Sequence, residues 1–178
     1  PDNSFEEGIL KIQIAINNDN ETYYSDIVEI DGYRNYKKNK KRIAFIGGLN
    51  EAKGSQLAYQ IIKKADDKYD WYIFGGLGDA ELFTLDKKNL RKTSWYDRDE
   101  IIKLLNENLI DLVCILPIWP ETFCYTLSEA LISKIPVLIT DIGALGERIK
   151  DGEYGWIVPY NVSSDEVINK IEEIFCDD

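Results

Sequence analysis

From residue 43 onward, short apolar runs alternate with segments whose apolar residues fall at helical spacing, and this alternation constrains the fold more than any other feature. The runs at 43–46, 71–74, 111–116, 136–140 and 155–158 have strand length, and 90–93 is a weaker strand candidate. Between them, Leu57, Ala58, Ile61, Ile62 and Ala65 share one helical stripe, as do Ile101, Ile102, Leu104 and Leu105. Helices are further expected at 125–133 and 144–150. A last helix carries Val167, Ile168, Ile171, Ile174 and Phe175 behind a Ser163…Glu166 capping box. Strands alternating with helices give a parallel sheet with helices on both faces, an α/β, Rossmann-like architecture. In such sheets ligands bind beyond the carboxyl ends of the strands.

Residues 1–41 follow a different pattern. The run 9–16 alternates partly, 17–20 is an Asn/Asp turn cluster, and 21–30 has the composition of a returning strand. A small N-terminal β-hairpin with a polar linker is expected over 1–41, and the Rossmann-like domain over 42–178. The first residue is proline, which points to a piece of a longer protein.

Composition removes most rival chemistries. The formal net charge of −11 leaves no room for a broad basic face, so nucleic acid is not an expected partner. The basic cluster within 37–42 is assigned to the linker. With no histidine there is no Ser-His or Cys-His pair and no ordinary transition-metal centre. Three cysteines without a C-x-x-C pair fit a reducing compartment. No apolar run is long enough to span a bilayer. The expected location is cytoplasmic, with the inner face of the membrane open to the full-length protein.

The remaining chemistry collects at the carboxyl edge of the sheet. Gly47-Gly48 through Lys53-Gly54 joins a strand to a helix, so backbone could approach a diphosphate while Lys53 supplies an ammonium. An ordinary turn with a surface lysine would look the same. Glu121 lies in the loop after the strand at 111–116, and Glu129 lies about one turn into the next helix. Carboxylates only accept hydrogen bonds, and one of them can take both hydroxyls of a ribose. Without further context, a loop acid and an exposed helix acid are equally good descriptions. Asp97-Arg98-Asp99 matches a D-x-D metal pattern, but Asp97 and Glu100 are explained as a helix start and no metal is expected. Trp95 and Tyr96 stand at the same edge, and 141–148 is assigned to turn and packing.

These stations occur in a recognisable order: Phe45-Ile-Gly-Gly…Lys53-Gly54, Leu116-Pro…Pro120-Glu-Thr-Phe…Glu129-Ala-Leu, Ile135-Pro-Val-Leu…Asp141-Ile-Gly, and the segment 151–159. From 43 to about 175 the chain resembles the C-terminal domain of a GT-B-fold glycosyltransferase of the "glycosyl transferases group 1" family, in wording similar to bacterial surface-polysaccharide enzymes. The resemblance implies a hexosyltransferase-like enzyme that retains anomeric configuration without a cofactor or metal. Its donor would be a nucleoside-diphosphate sugar, UDP- or GDP-linked. It would use Glu121 at the donor sugar, Glu129 on the ribose, and Lys53 with Gly47 and Gly48 at the diphosphate. The backbone of Phe123, Cys124, Tyr125 and Thr126 would cradle the phosphates. The sequence departs from the family pattern at Gly48, where an arginine is usual, and at Thr122 and Cys124, where glycines are usual; Thr122 could donate a hydrogen bond instead. The glycan acceptor would bind an N-terminal half absent from this chain, so the fragment alone is expected to be inactive. A non-catalytic nucleotide-sugar or glycan-binding module is the alternative.

Overall fold

The computed structural model describes residues 15–18, 21–24, 40–65, 67–93 and 95–176, and the chain divides into two compact units, 1–38 and 39–178. In the first unit β1 (Ala15–Asn18) and β2 (Glu21–Tyr24) pair antiparallel, with Ala15 opposite Tyr24 and Asn18 opposite Glu21. The hairpin is therefore present. Asn17 and Asn18, expected in the turn, instead extend the ladder, which uses their backbone groups. The parts expected as strand at 9–14 and 25–30 lie outside the described residues.

The second unit runs β3 (Lys41–Ile46), α1 (Ser55–Lys64), β4 (Tyr69–Phe74), α2 (Ala80–Thr84), β5 (Leu90–Thr93), α3 (Ile101–Glu107), β6 (Leu112–Ile115), α4 (Tyr125–Ile132), β7 (Val137–Asp141), α5 (Ala144–Arg148), β8 (Gly155–Pro159) and α6 (Ser164–Cys176). The six strands β3–β8 form one parallel sheet in the order β5-β4-β3-β6-β7-β8. Strand order reverses between β3 and β6, so the crevice at their carboxyl ends is where this topology puts ligands.

The central strands are apolar runs because both of their faces are covered. Ile43, Phe45, Trp71, Ile73, Leu112 and Cys114 point to one layer, built from Ala58, Ile61 and Ile62 of α1, Leu82 of α2, and Val167 and Ile171 of α6. Ala44, Ile46, Tyr72, Phe74, Val113 and Ile115 point to the other, with Ile101 and Leu105 of α3, Leu127 and Ala130 of α4, and Leu145 of α5. The edge strand β5 carries exposed Arg91 and Lys92, charges of the kind that discourage further pairing.

One helix is absent from the sequence expectations. The five residues of α2 are too short to display a helical period, but Asp79 caps it by accepting from the Glu81 and Leu82 amides. Ser55 and Gln56 donate to the same carboxylate, and these hydrogen bonds hold its pKa below the usual range. The capping boxes do form: Glu100 accepts from the Asp97 amide, and Glu166 accepts from both the amide and hydroxyl of Ser163.

Candidate functional site

Two loops build the floor of the crevice. After β3, Gly47 donates its amide to the Phe74 carbonyl, and Leu49 exchanges hydrogen bonds with the Gly75–Gly78 loop through Gly76 O and Gly78 N. The two glycine loops thus continue the β3–β4 ladder past its end. At Gly75, φ is +132° and an added Cβ would lie 2.2 Å from the Gly47 carbonyl oxygen, so only glycine permits this contact. The loop then closes in a 3-10 turn over Glu51–Lys53, where the Asn50 side chain accepts from the Lys53 amide.

The second loop, after β6, is laced to the first. Ile118 donates its amide to the Ala52 carbonyl, and Gly54 sits so close that a Cβ would meet the Leu116 oxygen at 2.0 Å. On its far side, Thr140 Oγ1 donates to the Pro117 carbonyl and the Ala144 amide donates to the Glu121 carbonyl. Gly143 makes room for that last contact, at φ +55°. The segment 141–148, assigned from sequence to turn and packing, is thereby the prop that fixes Glu121.

This lacing brings Lys53 and Glu121 together as an ion pair, although they are 68 positions apart in the chain. Both lie beside α4, which begins at Tyr125 with Cys124 in extended conformation and without a side-chain cap hydrogen bond. Its first turn packs on Gly47, where a Cβ would reach within 2.8 Å of Thr126 Cγ2. An uncapped helix start facing an ammonium suits a phosphate. Among the expected site residues, Thr122, Phe123 and Tyr125 are exposed, whereas Cys124 is buried and its Sγ lies 3.0 Å from Thr126 Oγ1.

Glu129 is more enclosed than Glu121, with 12% of its side chain exposed. Arg98 Nε is 3.5 Å from its Oε1, and its buried Oε2 has no hydrogen-bond partner among the described residues. Burial pushes its pKa up, and the Arg98 charge partly offsets this. The Tyr96 hydroxyl lies near it: burial first, and the Glu129 charge second, push its pKa up to about 12 against the opposing pull of the Gly47 backbone and the Arg98 charge. A carboxylate with a bare, dry oxygen is a receptor for a hydroxyl donor.

Sequence reasoning placed Trp95 at this edge without the glycines it packs on, and it missed the parts played by Arg148 and Arg98. The Trp95 ring lies across two glycines: a Cβ would meet it at 2.3 Å on Gly76 and 3.2 Å on Gly48. Gly48 is therefore both the position without a cation and part of an indole seat. Arg148 donates to the Cys124 carbonyl and to Ser128 Oγ while its guanidinium covers the Phe123 ring, which locks the start of α4. Arg98 stacks on Tyr125 at 4.3 Å. None of these pairings has a local sequence signal.

The model of the family described as glycosyl transferases group 1 matches residues 28–178. The chain belongs to this family. A Klebsiella pneumoniae relative, described as an uncharacterized 41.2 kDa protein in cps region, is 30% identical over 139 residues, covering 78% of this chain and 37% of that protein. Among solved structures, Anabaena Alr3699/HepE in complex with UDP-glucose superposes with a TM-score of 0.66 at 19% identity, over 78% of this chain and 40% of that one. The C-terminal domain of the Francisella tularensis group 1 protein LpcC gives 0.61 at 25% identity, over 76% of this chain and 75% of that one. The chain thus spans about two fifths of the length of the longer relatives, and its group 1 fold is the C-terminal half of the GT-B architecture, as the resemblance implied. Among the described residues of this group 1 domain, no helix is long and apolar enough to cross a membrane.

Proposed function

We propose that residues 42–178 hold the nucleotide-sugar donor of a retaining glycosyltransferase that extends a glycan. The observation that carries this reading is that the Lys53–Glu121 pair stands beside the uncapped start of α4, the helix that also bears Glu129, where the strand order reverses. The complex of the Anabaena neighbour with UDP-glucose supports the donor class, and the cps-region origin of the Klebsiella relative supports surface polysaccharide as the setting.

In this reading Glu129 accepts both ribose hydroxyls, and the α4 amides of Phe123 to Thr126, with Lys53 and the backbone at Gly47 and Gly48, hold the diphosphate. Glu121 accepts hydroxyls of the donor sugar and Thr122 donates to it. During transfer the bond from the anomeric carbon to the β-phosphate oxygen breaks with its electron pair going to that oxygen, and a bond to the acceptor oxygen forms as the hydroxyl proton passes to the departing diphosphate. Charge accumulates on the departing diphosphate, where the Lys53 ammonium and the helix amides stabilise it without a metal. The acceptor comes from a second half, so this chain alone binds donor and transfers nothing. The reaction belongs in the cytoplasm, where nucleotide sugars are found.

Calorimetry with UDP, GDP and their sugars tests the reading. Binding of one of the two series, lost on Glu129→Ala, is expected. Absence of heat from every nucleotide, with the fold intact, would overturn it.

A further inference from the structure

Among the described residues, Lys53, Arg148 and Arg98 stand around the crevice, and the fold holds them differently. Lys53 is paired with Glu121. Arg148 is fixed by two hydrogen bonds of 2.9 and 2.8 Å to α4 and by the Phe123 ring. Arg98 is held by a single 3.5 Å ion pair to Glu129 and by the face of Tyr125, and 64% of its side chain is exposed. That separation is longer than the roughly 2.7–2.9 Å of a charge-assisted hydrogen bond, so most of the guanidinium's donors are unspent. Tyr125 is the first residue of α4, so the stack holds Arg98 at the helix start, between the expected ribose carboxylate and the expected phosphate cradle.

We propose that Arg98 is a second diphosphate-binding cation, which leaves its place on Glu129 for the phosphates when the donor binds. This rests on the donor-binding reading above. The exchange conserves hydrogen bonds. Ribose hydroxyls take over the Glu129 oxygens, one of which has no hydrogen-bond partner among the described residues. The released guanidinium forks onto phosphate oxygens, where bidentate geometry is available. The Tyr125 ring gives the moving group a face to slide on, because a cation–ring attraction has little directional demand within the plane. Without the hand-over, ribose and Arg98 would compete for one carboxylate, and Lys53 would be the one side-chain cation offered to the diphosphate beside the backbone amides.

The experiment measures UDP against uridine, and GDP against guanosine, on the full chain with Arg98 intact, Arg98→Ala and Arg98→Gln. Both variants alter an exposed side chain, and circular dichroism confirms that each folds. Loss of about tenfold or more in diphosphate affinity is expected, the scale of a lost charged hydrogen bond. Nucleoside affinity should stay within about twofold or improve, since a competitor for Glu129 is gone. Parallel weakening of diphosphate and nucleoside would mean that Arg98 only orders Glu129, and unchanged diphosphate affinity would mean that it does not reach the phosphates; either result overturns the proposal. If the unmutated chain binds no nucleotide, the donor reading itself falls and takes this inference with it.

Discussion

Glu121 and Glu129 belong to one short segment, yet the fold gives them opposite surroundings. Glu121 sits in a loop propped by Gly143 and Ala144 and is neutralised by a lysine delivered from the β3–α1 turn. Glu129 sits on a helix against the sheet, nearly dry, with one oxygen bare and a loosely held arginine on the other. Position explains the contrast. A loop beyond the strand ends can be met closely by other loops and their charges, whereas a helix side chain one turn further in is enclosed mainly by packed neighbours, with Arg98 reaching it only at 3.5 Å. The lesson is that one acid is poised by charge pairing and the other by desolvation, so perturbations should separate them.

The largest effect should come from removing what the two share. Gly54→Ala places a Cβ 2.0 Å from the Leu116 oxygen at φ +77°, and should cost about 2–5 kcal/mol of stability by denaturant titration while abolishing nucleotide binding. Next, Lys53→Ala should weaken UDP by about tenfold and spare uridine, whereas Glu129→Gln should weaken both by roughly 1–3 kcal/mol; equal profiles from the two variants would erase the distinction drawn here. Glu121→Gln removes the partner of Lys53 and should tighten UDP by about two- to fivefold, the scale of a partly exposed ion pair. UDP-sugar should gain nothing, because the sugar loses its acceptor.

The smallest effect concerns pH. Burial raises the Glu129 pKa, so ionising this carboxyl costs more in the folded chain than in the unfolded one. The cost is absent below the ordinary value of 4.5, grows as pH rises through the raised folded value, and is constant above it. Glu129→Gln should therefore raise the unliganded melting temperature at pH 7 by about 1–3 °C, with the gain fading toward pH 4. A gain that persisted unchanged at low pH would remove desolvation as its cause.

Most of the fold was legible because the central strands are buried on both faces and so appear as uninterrupted apolar runs, while α1, α3 and α6 keep clear stripes. Helix α2 was not legible, since five residues hold less than two turns. The site was legible where a residue type and its place in the topology coincide: Lys53 and Glu121 both follow strands that flank the reversal, and they meet. What could not be read were contacts defined by missing side chains or by distant partners. Trp95 finds its seat because Gly48 and Gly76, from two different loops, both lack a Cβ. Arg98, from the 3-10 turn before α3, and Arg148, the last residue of α5, are brought to α4 only by tertiary packing.

The pairing of β3 with β6 has a further consequence. These neighbours in space are far apart in the chain, with two other strands between them, and Arg42 donates its amide to Asp111 69 positions away. Closing that loop is entropically slow and must precede the meeting of Lys53 and Glu121. The crevice therefore has no local precursor that could form early in folding. Nucleotide added to a refolding chain should act only on molecules that have completed the sheet, shifting the final equilibrium by mass action and leaving the initial collapse untouched.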